Sequence, residues 1–235
     1  ILGNHTFALE YLFNPKGKER LKALPARRLP KHFHRNVPGL AERFEAFLKS
    51  NTHNVLISSE ALVGPRLLHN RAALVDFLKP YFDAIEFVAY LRAPEDYMVS
   101  SMQQTLQSSE SYFDLEHFYP HYRKRFEPWV ETLGGANVSL IEYAPSRLNG
   151  GNVVSDFAAR LGVSVNGADN EQSNKAQSAE AIATQQLWNR RFNEADLSFY
   201  QRAKISFGRL EVIKFGKHNF GIESKLLQSI CKENQ

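Results

Sequence analysis

Twenty residues, IEFVAYLRAPEDYMVSSMQQ (85–104), constrain the fold more than any other stretch of the chain. Ile85 to Leu91 is an apolar run of strand length, rich in β-branched and aromatic side chains. Arg92 closes it, and Pro94, Glu95 and Asp96 follow. Proline suits the first position of a helix, and carboxylates suit the first turn, where the helix dipole favours negative charge. The spacing therefore predicts strand, short turn and helix. That unit builds parallel sheets, whose ligands collect beyond the carboxyl ends of the strands. Arg92 stands at such an end, and Ser100 follows eight residues later on the helix. Together they predict a clamp for a phosphate or sulfate, with two parallel guanidinium N–H donors and one hydroxyl. The competing reading pairs Arg92 with Glu95 or Asp96 and leaves Ser100 on a solvated helix face.

The same alternation runs through the chain. NVLIS (54–58) reads as a short buried strand ending in Ser58-Ser59-Glu60, and ANVSLIEY (136–143) as a third strand. Helical spacing marks 40–49, 67–82, 113–133 with Gly134 and Gly135 as a stop, 152–163, most of 178–207, and a tail from 222. NHTFALEYLF near the start also reads as a helix. Strands alternating with helices predict the α/β class, a three-layer parallel sheet with helices on both faces and a helical C-terminal part. One such domain is expected over residues 1–235. Three strands are few for that sheet, the chain opens on Ile1, and ICKENQ stops without a cap, so the domain is expected to be truncated at both ends.

Hydrophobic residues at 43% and charged residues at 23% provide for a sizeable core. The single cysteine, Cys231, excludes an internal disulfide and a multi-cysteine metal site, and fits a reducing, cytoplasmic compartment. No apolar run approaches the roughly 20 residues of a membrane helix, and nothing at the start reads as a signal peptide. The net charge of +4 is unevenly placed: Lys16 to Arg35 holds eight Lys or Arg residues against Glu19. Such a segment is either a solvated loop or a patch for an anionic partner such as an acidic glycan, a phosphate-rich ligand or a membrane surface. Nucleic acid is the weaker choice, because only Phe33 is interleaved for stacking and Pro25 and Pro30 interrupt a basic helix.

YLRAPEDYMVSSMQQ resembles the 3′-phosphate-binding segment of sulfotransferases, in which a strand ends in arginine and a serine follows eight residues on. NVLISSE (54–60), IEYAPSRLNGGNVVSDFAARLGV (141–163) and NKAQSAEA (174–181) resemble successive segments of bacterial sulfotransferase-like proteins. The resemblance implies a fold of the P-loop nucleoside-triphosphate-hydrolase type and the co-substrate 3′-phosphoadenosine 5′-phosphosulfate. It places Arg92 and Ser100 on the 3′-phosphate of that donor. One feature of the family has no match: the glycine-rich, lysine-bearing loop whose N–H groups cradle the 5′-phosphosulfate.

Sulfuryl transfer needs an in-line acceptor, a base for its proton, and positive charge on the departing phosphate. It needs no metal, and His32 and His34 in HFH read as solvated. Glu60 is the first candidate base, lying at the end of the 54–58 run. Its other reading is a first-turn acid for the element that follows. His5 is the second candidate, since imidazole titrates in the useful range. Lys175 is a candidate donor contact from a late loop. Trp129, Tyr143 and Trp188 read as core, and no Ser-His-Asp arrangement can be assembled. The implied activity is transfer of a sulfuryl group to a hydroxyl or amine, on a small molecule or on an anionic glycan or lipid. The alternative is a non-catalytic anion- or partner-binding protein on the same scaffold. A nucleotide kinase of related architecture lacks the same loop and an obvious acid for magnesium other than Glu60.

Overall fold

The computed structural model describes residues 5–24, 37–107, 115–164 and 224–234, with single positions and short runs between 178 and 187. The chain is mixed α/β and mostly helical. In order come α1 (Thr6–Phe13), α2 (Gly17–Ala23), α3 (Leu40–Ser50), α4 (Pro65–Leu68), α5 (Arg71–Leu78), β1 (Phe87–Leu91) and α6 (Pro94–Gln107). They are followed by α7 (Tyr122–Leu133), β2 (Val138–Glu142), α8 (Val153–Arg160) and α9 (Ser224–Glu233). β1 and β2 pair as a small parallel sheet, and they are the strands found among the described residues. No helix among the described residues is long and apolar enough to cross a membrane.

Two expectations require correction. The 54–58 run is neither a strand nor buried, with Leu56 56% exposed. A short apolar run becomes a strand only when a neighbouring strand supplies a hydrogen-bond ladder. Here the backbone of Ser58 is bonded instead to His5. The predicted 113–133 helix is confined to α7 and a 3₁₀ turn at Glu116–Phe118. Pro120 lacks an N–H and biases the preceding Tyr119 away from the helical region, and His121 takes φ 44°. The helix stop falls where the glycines predict, with Gly134 at φ 81°.

The chain divides into two compact units. The first comprises Ile1–Ala89 and Tyr122–Leu140. Its buried side chains include Leu9, Leu21, Leu67, Val75, Phe87 and Trp129. Each side chain of this kind contributes about 1.5–3 kcal/mol when fully buried. Trp129 stacks on Phe87 at 4.6 Å, and its indole N–H donates to the Leu62 carbonyl at 3.0 Å, so it is core as expected. Arg71 in α5 anchors α7: its Nε donates to the Pro128 carbonyl at 2.6 Å and to Thr132 Oγ1 at 2.8 Å.

The first unit also buries an ion pair. Glu10 in α1 is fully buried and receives both Nε and Nη2 of Arg20 from α2. Lys18 lies over the Tyr11 ring, 5.3 Å from its centroid. Part of the basic segment is thereby structural. Arg20 neutralises a buried carboxylate, whereas Lys16, Lys18 and Lys22 stay exposed.

The second unit comprises Tyr90–His121 and Ile141–Gln235. Its core gathers Met98 and Met102 of α6, Phe118 and Tyr119, Ile182, and Leu227 and Cys231 of α9. Burial pushes the pKa of the Cys231 thiol up, helped by the charge of the Glu95 carboxylate. A thiol in such a setting is inert.

Candidate functional site

β1 ends at Leu91, whose carbonyl accepts the amide N–H of Tyr143 at 2.6 Å. Pairing thus runs to the last residue of β1 and to the residue just after β2, and Arg92 and Tyr143 each directly follow a strand at the carboxyl edge. Arg92 is exposed. Its Nη1 donates to Ser100 Oγ at 3.0 Å, and its guanidinium carbon lies 5.1 Å from the centroid of the Tyr143 ring. The two residues read from the sequence as a clamp are in direct contact. A serine hydroxyl orients a guanidinium without adding charge of its own, and a guanidinium held in this way suits a tetrahedral oxyanion.

The helix between them is built for this placement. Pro94 opens α6, Glu95 and Asp96 occupy its first turn, and Met98 and Met102 anchor it in the core at 0% and 1% exposure. Ser100 is set about half a turn away from Met98, at 100° per residue, and so faces away from that core.

The turn after β2 is held by a carboxylate. Asp156 of α8, 6% exposed, accepts the Tyr90 hydroxyl at 2.7 Å, Arg160 Nε at 2.6 Å and the Asn149 amide N–H at 3.0 Å. Arg160 first, then the Asn149 N–H and the Tyr90 hydroxyl, hold its pKa down to about 2. The Tyr90 phenol is pushed up by burial and by the same carboxylate. Asn152 caps α8 by accepting the Ser155 amide N–H at 2.8 Å.

Glu60 and His5 both belong to the first unit. Glu60 is exposed and opens a 3₁₀ turn over Glu60–Val63, which Ser59 caps by accepting the Ala61 amide N–H at 3.2 Å. It occupies the first-turn position that the sequence offered as its other reading. His5 is bound to Ser58 twice: its amide N–H donates to the Ser58 carbonyl at 2.9 Å, and its Nδ1 lies 3.1 Å from the Ser58 amide nitrogen. The same Nδ1 lies 3.1 Å from the Ser58 carbonyl oxygen. Thr6 and Ser59 join the same stretch through their hydroxyls at 2.8 Å. Both candidate bases are thus attached to residues 58–60. Lys175, Trp188 and His32 to His34 lie outside the described residues. Among the described residues no three His, Cys, Asp or Glu side chains converge as a metal site.

Tyr143 is the residue at this edge that sequence reasoning assigned to the core. It is half-buried. Its position directly after a strand, level with Arg92 after the other strand, is the signal that could have found it. No protein-family model matches the chain, and neither a curated protein nor a solved structure matches it.

Proposed function

We propose that the chain is a sulfotransferase-like protein that binds 3′-phosphoadenosine 5′-phosphosulfate, with Arg92 and Ser100 on the 3′-phosphate, and transfers its sulfuryl group to a hydroxyl or amine. The carrying observation is the 3.0 Å contact between Arg92 Nη1 and Ser100 Oγ at the carboxyl end of β1. The proposal includes the finer fold, a three-layer parallel sheet of the P-loop type, and a donor contact from Lys175. When bound, the donor would supply an activated sulfuryl group. Arg92 would bind the 3′-phosphate, Ser100 would orient that arginine, and Glu60 would take the proton of an acceptor, which is drawn from hydroxyl-bearing small molecules, anionic glycans or lipids.

Calorimetry with adenosine 3′,5′-bisphosphate tests this, with AMP as the control lacking the 3′-phosphate. The expected result is binding about tenfold or more tighter for the bisphosphate, lost in Arg92→Ala, since hydrogen bonds to charged groups contribute about 1.5–3 kcal/mol. Equal binding of the two nucleotides would refute it.

A second reading has its own support. Glu60 serves a 3₁₀ turn and His5 is bonded to Ser58, so both candidate bases have structural roles. A non-catalytic anion- or partner-binding protein would keep the Arg92–Ser100 clamp without a base. Selective nucleotide binding with no sulfuryl transfer to any hydroxyl or amine acceptor would favour it.

A further inference from the structure

We propose that Tyr143 is a positioning residue for Arg92, holding the guanidinium plane so that a phosphate meets its N–H edge; the inference rests on the 3′-phosphate reading of Arg92. An exposed arginine samples many rotamers, and ordering it on binding weakens affinity. Two contacts of the guanidinium bear on its orientation. Ser100 of α6 takes Nη1 at 3.0 Å, and the Tyr143 ring stands 5.1 Å from the guanidinium carbon. A ring face attracts a guanidinium through its quadrupole and covers one face of the cation. The edge that makes paired N–H···O contacts lies in the guanidinium plane and is not covered by such stacking.

The ring can do this only if it is itself fixed, and it is tied to β1 at two places. Its own amide is bonded to the Leu91 carbonyl at 2.6 Å. The turn that follows is held through Asn149 by Asp156, which accepts the Tyr90 hydroxyl at 2.7 Å. Tyr90 and Arg92 are alternate residues along one line of chain, so the strand that carries the cation also anchors its support. The contact uses the ring face, so the phenol hydroxyl is dispensable.

The test is calorimetry of adenosine 3′,5′-bisphosphate and AMP on the full chain, its Tyr143→Phe, Tyr143→Leu and Tyr143→Met variants, Arg92→Ala, and the Arg92→Ala/Tyr143→Leu double variant. Unfolding midpoints are recorded for each. Tyr143→Phe is expected to bind both nucleotides as the parent does. Tyr143→Leu and Tyr143→Met are expected to bind the bisphosphate about two- to fivefold more weakly, with AMP unchanged. The double variant is expected to bind no more weakly than Arg92→Ala, because the ring acts through the arginine. If the parent prefers the bisphosphate and the Leu or Met variant that folds binds it equally well, the inference fails and the 3′-phosphate reading stands. Equal loss for both nucleotides, or additive loss in the double variant, would also overturn the inference. A parent with no preference would remove both.

Discussion

A methyl group added to Gly17 would lie 2.0 Å from the main-chain carbonyl oxygen of Glu10. The obstacle is backbone, so it cannot rotate away, and α1 and α2 can approach only because position 17 has no side chain. Gly17→Ala is expected to destabilise the first unit by about 1–3 kcal/mol, the usual range for overpacking. Urea unfolding followed by Trp129 fluorescence measures it, and an unchanged midpoint would contradict the packing described.

The pair that this approach brings together makes a second prediction. Arg20→Met leaves the Glu10 carboxylate buried without the arginine, whereas Glu10→Gln leaves a neutral amide beside an arginine that keeps 29% exposure. Removing one partner of a buried pair costs about 3–5 kcal/mol. The methionine variant is expected near the lower end of that range and the glutamine variant below it. Denaturant midpoints of the two variants decide the order.

Asp156 predicts the acid limb of stability. Its pKa is lowered from 3.8 to about 2 in the folded chain. A carboxylate whose folded pKa is depressed binds fewer protons than its unfolded counterpart. Its contribution is therefore complete above about pH 4 and declines as the pH falls toward 2. Asp156→Asn removes that contribution, so its thermal midpoint is expected to fall less steeply than the parent's between pH 4 and 2. Parallel slopes would show that the aspartate is not the group responsible.

Ser100→Ala removes the hydroxyl that receives Arg92 Nη1 at 3.0 Å. One such hydrogen bond contributes about 1 kcal/mol, or about fivefold in affinity. Under the proposed function the variant binds adenosine 3′,5′-bisphosphate about that much more weakly and AMP as before. Calorimetry on the pair of ligands reads it directly.

Gln103 in α6 is 9% exposed, and its side-chain amide makes no hydrogen bond among the described residues. A buried polar group without a partner costs about 1–3 kcal/mol. Gln103→Leu is expected to raise the unfolding free energy by about 1 kcal/mol, measured in urea. A loss of stability would mean that the amide is satisfied in solution.

The parts of this fold that local chemistry determines were legible in the sequence. β1, α6 with Pro94 at its start, β2, α8 ended by Gly162 and the terminal α9 all fall where periodicity and caps place them. The Arg92–Ser100 contact was legible because both residues sit on one strand–turn–helix unit, eight residues apart. What failed depends on partners distant in sequence. Residues 54–58 have the short apolar run of a buried strand, but a ladder requires a neighbouring strand, and Ser58 is bonded to His5, 53 residues away. Arg20 looked like one more surface cation because its acid, Glu10, is brought beside it by the packing of α1 on α2. Tyr143 looked like core because its cation stands on the other strand.

The proline inside α7 has a consequence for the order in which this chain folds. Pro128 donates no N–H, so the ladder of α7 is broken in the middle of a helix of 12 residues, already a marginal length for a helix in isolation. The Pro128 carbonyl is bonded from outside by Arg71 and from the next turn by Thr132 Oγ1. A peptide covering 122–133 should therefore be largely coil, and α7 should form only as α5 docks. In kinetic terms, α7 belongs late on the folding path, and substitutions of Arg71 should speed unfolding more than they slow folding.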